Sequence, residues 1–105
     1  MRPIPREVTV HIARYDVRRV SLATLRRYYK AEVYADCDPL LRVIRIARGV
    51  SLRAAWGLLR HEVGHALIFE LGFKNKIPNE HEEDTVEILL PAYVSTLAQL
   101  DPEVF

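Results

Sequence analysis

The chain has 105 residues, 50% hydrophobic and 28% charged, with 4 Gly, 6 Pro and one Cys; this excludes disordered and collagen-like classes and allows one modest core in a single domain, residues 1–105. Its longest apolar runs, such as the four residues from Ala66 to Phe69, fall far short of the roughly 18 needed to span a bilayer, so no membrane association is expected. The net charge of +1 conceals a division: residues 1–60 carry 13 Lys and Arg against 5 Asp and Glu, and residues 61–105 carry 2 against 9.

A basic half is compatible with a nucleic-acid face, but no aromatic interleaving or binding motif accompanies these arginines. Two halves packed together with their charges fringing the contact is the favoured reading. The first seven residues lack an apolar stretch of secretory-signal length, and Cys37 has no intrachain partner; both facts point to a cytoplasmic protein.

In chain order, Val8, Val10 and Ile12 alternate with Thr9, His11 and Ala13, the period of a half-buried strand. Ser21 is placed to cap a helix running to about Lys30, with Leu22, Leu25 and Tyr29 along one side. Val33 and Tyr34 suggest a second strand, Asp36-Cys37-Asp38-Pro39 a turn, and Leu41 with Val43 to Ala47 a third strand, which together make an antiparallel hairpin. Gly49 interrupts the pattern. Ser51 then caps a long helix whose apolar positions continue to Leu71, with Gly72 as its stop. Trp56 and Phe69 on this helix are expected in the core, and His11 and Cys37 are expected to be bystanders, Cys37 as an exposed, oxidisable thiol. Lys74 to Pro78 reads as a loop before a last helix.

Inside the long helix lies His61-Glu62-Val63-Gly64-His65. Imidazoles four residues apart stand one turn above the other, so both rings can reach one tetrahedral metal ion. Glu62 is turned about 100° around the axis, on the side where a water can be held and deprotonated. This is the arrangement of a zinc hydrolase, with Glu62 as catalytic base and His61 and His65 as metal ligands. Hydrogen-bonded core histidines are the bland alternative, and with the chain's composition the three-residue pattern arises by chance in about one sequence in a hundred.

A catalytic zinc takes a third protein ligand. Ile68 and Leu71 stand where a metzincin would carry Gly and His, so that class is excluded. The remaining source is Asn79-Glu80-His81-Glu82-Glu83-Asp84. Asn79 and Glu82 form a capping-box pattern that gives Glu82 a local task. The last helix carries an apolar stripe through Val86, Leu90, Tyr93, Leu97 and Leu100, and the same spacing extended backwards lands on Glu83. Glu83 is therefore the first choice, with Glu87, Glu80, Glu82 and His81 as alternatives. Pro91 would free the carbonyl of Glu87 and kink this helix.

These residues resemble the small HExxH metallopeptidases of the gluzincin type, in which a glutamate on a second helix completes the zinc site. The compact group of minigluzincins, ImmA/IrrE-like peptidases and short phage-encoded relatives is the most similar, and the likeness covers about residues 41–100. In ImmA/IrrE-like proteins Ala and Asn follow the metal-binding Glu at three and four residues, where this chain has Val86 and Glu87. The resemblance implies Zn²⁺ as cofactor, a protein or peptide substrate, and proton transfer by Glu62. Tyr93, His81 and Tyr34 are the candidate oxyanion donors by residue type. It also implies an edge strand that pairs with extended substrate, assigned here to the strand through Val43, Arg45 and Ala47.

The expected architecture is α+β, a small antiparallel sheet packed on the zinc-binding active-site helix and a C-terminal glutamate-bearing helix. Two rival readings remain. One is a non-catalytic regulator that binds protein or nucleic acid through the Arg-rich half, and the other is a structural metal site closed by a fourth ligand, His81 or Glu87.

Overall fold

The computed structural model describes residues 2–27, 29 and 33–91. The elements are β1 (Glu7–Val10), β2 (Ala13–Val20), α1 (Leu22–Arg26), β3 (Ala35–Asp38), β4 (Val43–Ala47), α2 (Leu52–Glu70) and α3 (Asn79–Asp84), which continues as a π-helical turn over Thr85–Leu89. Four strands in the order β1-β2-β4-β3 make one sheet, so the fold is α+β. The β1–β2 and β3–β4 pairs are antiparallel, and the central β2–β4 pair is parallel.

One sheet face carries Tyr15, Val17, Ile44 and Ile46, and α2 lays Ala55, Leu59, Val63 and Ala66 on it to form the core. These positions follow the two periods expected of a strand and a helix face. Ser21 and Ser51 cap their helices, accepting from the backbone N–H of Thr24 and Ala54. Gly72, at φ 79°, supplies the left-handed residue that ends α2. The C-terminal end of α2 is tied to the sheet by Glu70, whose Oε1 accepts from Tyr15 Oη at 2.8 Å and Arg42 Nε at 3.3 Å. Trp56 and Phe69 are half-buried, and Trp56 donates its indole N–H to the Arg2 carbonyl at 2.7 Å.

Several sequence expectations are corrected. The first strand stops at Val10: His11 takes φ 58°, the chain turns, and Ile12 is left 85% exposed. β2 is a strand absent from those expectations, although Ala13, Tyr15 and Val17 alternate with Arg14, Asp16 and Arg18. The first helix ends at Arg26, and Lys30 lies outside the described residues.

The second strand is Ala35–Asp38, so Asp36-Cys37-Asp38 is strand and not turn. Asp36 sits opposite Arg45 in the β3–β4 register and is held by two of its N–H groups, at 2.8 and 2.5 Å, and by Tyr29 Oη at 2.9 Å. That neutralisation is what admits a buried aspartate to a strand. Asp38 instead makes the turn, accepting from the backbone N–H of Leu40 and Leu41. Leu41 is exposed in it.

β4 lies between β2 and β3 and has no free edge; the edge strand on this side of the sheet is β3. The hydrogen bond from Ala47 N–H to Tyr34 C=O fixes the ladder phase, and the backbone groups of Ala35 and Cys37 therefore face away from β4.

Candidate metal centre

His61 and His65 project from the middle of α2, with their ring centroids 4.9 Å apart. Their Nε2 atoms lie 3.2 Å from one another. Glu83, from α3, brings one carboxylate oxygen to 3.1 Å from His61 Nε2 and the other to 3.0 Å from His65 Nε2. His61, His65 and Glu83 are thus brought together, their ligand atoms all within 4.8 Å of one another. Among the described residues no fourth His, Cys, Asp or Glu joins this cluster.

The remaining candidates have other partners. Glu82 places Oε2 2.6 Å from His65 Nδ1 and accepts from Lys74 Nζ at 2.7 Å through Oε1. It does not fold back as a capping box: Pro78 occupies the N-cap, no side chain caps α3, and Glu82 is buried. Two tertiary partners outweigh the single local one. Burial alone would raise the Glu82 pKa, and its bonds to Lys74 and His65 bring it below the ordinary value. Glu87 contacts His61 Nδ1. Glu80 and His81 are exposed and face each other at 3.7 Å, away from the cluster. Tyr93 lies outside the described residues, and Tyr34 lines the cavity beside the site.

The two flanking acids fix the chemistry of the rings. A carboxylate only accepts, so His65 Nδ1 and His61 Nδ1 carry their protons towards Glu82 and Glu87. In the neutral rings both Nε2 lone pairs then converge with the Glu83 oxygens. Three acceptors at 3.0–3.2 Å repel unless a cation lies between them. An ion with bonds of about 2.0–2.1 Å at tetrahedral angles separates its ligand atoms by about 3.3 Å, close to the spacing found. The donor set and its spacing fit zinc.

Glu62 lies next to this cluster in an open cavity of about 920 Å³, whose lining also includes Asp36, Cys37 and Glu87. Burial pushes the Glu62 pKa up to about 8, and the charges of Asp36, Glu83 and Glu87 add to the rise. Cys37 is half-buried on the same wall, correcting its expected place in an exposed turn. Burial, then the charges of Glu62, Asp36, Asp38 and Glu70, push its thiol up to about 12. Cys37 should therefore alkylate at pH 8 about 100-fold or more slowly in the native chain than in urea. Equal rates by mass spectrometry would contradict that environment.

Part of the arginine-rich half is engaged within the domain. Arg14 pairs with Glu7, Arg18 with Asp16, Arg42 with Glu70 and Arg45 with Asp36. No helix among the described residues is long and apolar enough to cross a membrane. Comparison of the chain with protein-family models, curated proteins and solved structures found no match.

Proposed function

We propose that this protein is a zinc-dependent metallopeptidase in which His61, His65 and Glu83 hold the metal and Glu62 is the general base. The observation that carries the reading is the convergence of three acceptors, each imidazole oriented by its own carboxylate, beside an acid in an open cavity. Zinc bound there would supply Lewis acidity, lowering the pKa of a water and polarising a carbonyl. Glu62 takes the proton of the attacking water and returns it to the leaving amine. Glu82 and Glu87 keep both rings in the tautomer that leaves Nε2 free.

The substrate would lie along β3, the edge beside the cavity, where Ala35 and Cys37 turn their backbone groups outward. An extended peptide pairing there adds a strand to the sheet, with main-chain hydrogen bonds holding the scissile bond near Glu62. A site with three protein ligands on an open cavity favours catalysis over a closed structural metal. Arg14 and Arg18 alternate with acids on the outer sheet face, which interrupts the basic charge there.

Elemental analysis of the purified chain should find one zinc per molecule. Failure to take up zinc on addition would end the metalloenzyme reading. Cleavage of a peptide library by the wild type and by Glu62→Gln then tests catalysis, and an inert wild type carrying zinc would leave a binding role.

A further inference from the structure

We infer that metal binding regulates this site by docking the segment from Asn79 to Pro91 onto α2, because the described residues supply few contacts to hold it there. The inference rests on the metal-centre reading and concerns what the ion does to the fold.

The segment is a poor helix by its own composition. α3 has six residues, begins at Pro78 without a side-chain cap, and passes into a π turn in which Leu90 N–H bonds to Thr85 C=O. With the π turn the described helical run spans residues 79–91, a length still marginal in isolation. Glu80, Glu82, Glu83, Asp84 and Glu87 crowd it with negative charge, and among the described residues only Glu82 has a lysine partner, Lys74. Glu80 and Asp84, like Glu83 and Glu87, are four apart, a spacing at which equal charges oppose helix formation.

Among the described residues little apolar surface compensates. Val86 is buried at 2% exposure and Leu90 approaches Gly64, whereas Ile88 and Leu89 are exposed. The polar contacts to α2 are Glu82 on His65, Glu83 on both rings and Glu87 on His61. A cation held by His61, His65 and Glu83 ties the segment to α2 at its charged end and reverses the repulsion among its acids. The sheet and α2 share a buried core that needs no such tie. Loss of metal therefore lets the cavity wall that carries Glu83 and Glu87 open more often, and metal holds the site assembled.

Hydrogen exchange read by mass spectrometry on the full chain, with one equivalent of zinc and with EDTA, tests this beside a calorimetric zinc titration. Amides of residues 80–90 should exchange at least about tenfold more slowly with zinc, while those of β2 and β4 stay unchanged. Stoichiometric zinc uptake with equal protection in both states would overturn the docking inference and leave the metal centre standing. No uptake would overturn both. Glu83→Gln should still take zinc weakly through the histidine pair and leave residues 80–90 at the exchange rate of the chelated protein. Full protection in that variant would show that docking does not run through Glu83.

Discussion

Glu62→Gln is expected to abolish peptide cleavage with one zinc per chain retained, and to raise the stability of the metal-free chain by an amount that grows with pH. The first effect follows from removing the group that accepts the water's proton; loss of a general base costs about 10²–10⁴ in rate. The carboxamide keeps the shape of the side chain, and the contacts that bring His61, His65 and Glu83 together do not run through Glu62. Retained cleavage with intact metal would remove Glu62 from the mechanism.

The second effect follows from where Glu62 sits. It is 6% exposed, and its pKa stands at about 8 against an ordinary 4.5. Below about pH 4.5 it is protonated in both folded and unfolded chains and costs nothing. Between there and about pH 8 the unfolded chain gives up the proton while the folded chain keeps it, so stability falls as pH rises through this window. The carboxamide of the variant has no such proton to lose. Urea unfolding in EDTA should show the variant gaining about 2–4 kcal/mol over the wild type between pH 5 and pH 8. A difference constant across that range would mean that Glu62 is solvated. In the proposed mechanism the proton-transfer residue is thus one whose burial weakens the fold.

The parts of this site that sequence could reveal are those set by one helix turn. His61, Glu62 and His65 share α2, so their relative placement is a matter of 3.6 residues per turn, and the structure brings the two rings together. Glu83 is reachable by extending the apolar stripe through Val86, because Val86 and Leu90 of that stripe pack on α2 at Gly64. Glu82 escapes the local capping rule because His65 and Lys74, far off in sequence or across a loop, compete for the same carboxylate. The partnership of Glu87 with His61 leaves no local trace, since its spacing spans two elements and a loop.

In the sheet, the missed and shifted strands share one cause. His11-Ile12 carries none of the Gly, Asn or Asp residues that usually mark a two-residue hairpin turn. In β3 the aspartates resemble turn residues, and only the opposing Arg45 makes Asp36 acceptable in a strand. The parallel β2–β4 pair depends on a crossover through α1 and β3 that no short window of sequence encodes.

Gly64→Ala should weaken zinc binding about tenfold or more and destabilise the chain by about 1–3 kcal/mol, although alanine is the better helix former by about 1 kcal/mol. A Cβ at position 64 would lie 2.8 Å from Val86 Cγ1 and 3.4 Å from Leu90 Cδ1. Valine is short and stiff at χ1, so it cannot swing clear, and the π turn must retreat from α2. Val86 lies between Glu83 and Glu87, and its retreat carries both carboxylates away from the rings they contact. The glycine between the two histidines thus sets the distance at which the second helix can close the site. Competition against a chromogenic chelator and urea unfolding would measure the two effects. Val86→Ala in the same chain should recover most of the zinc affinity by removing the obstructing methyl groups, at the expense of some core packing. If Gly64→Ala alone binds zinc like the wild type and unfolds at higher urea, close approach at Gly64 is not what positions Glu83, and helix propensity outweighs the contact.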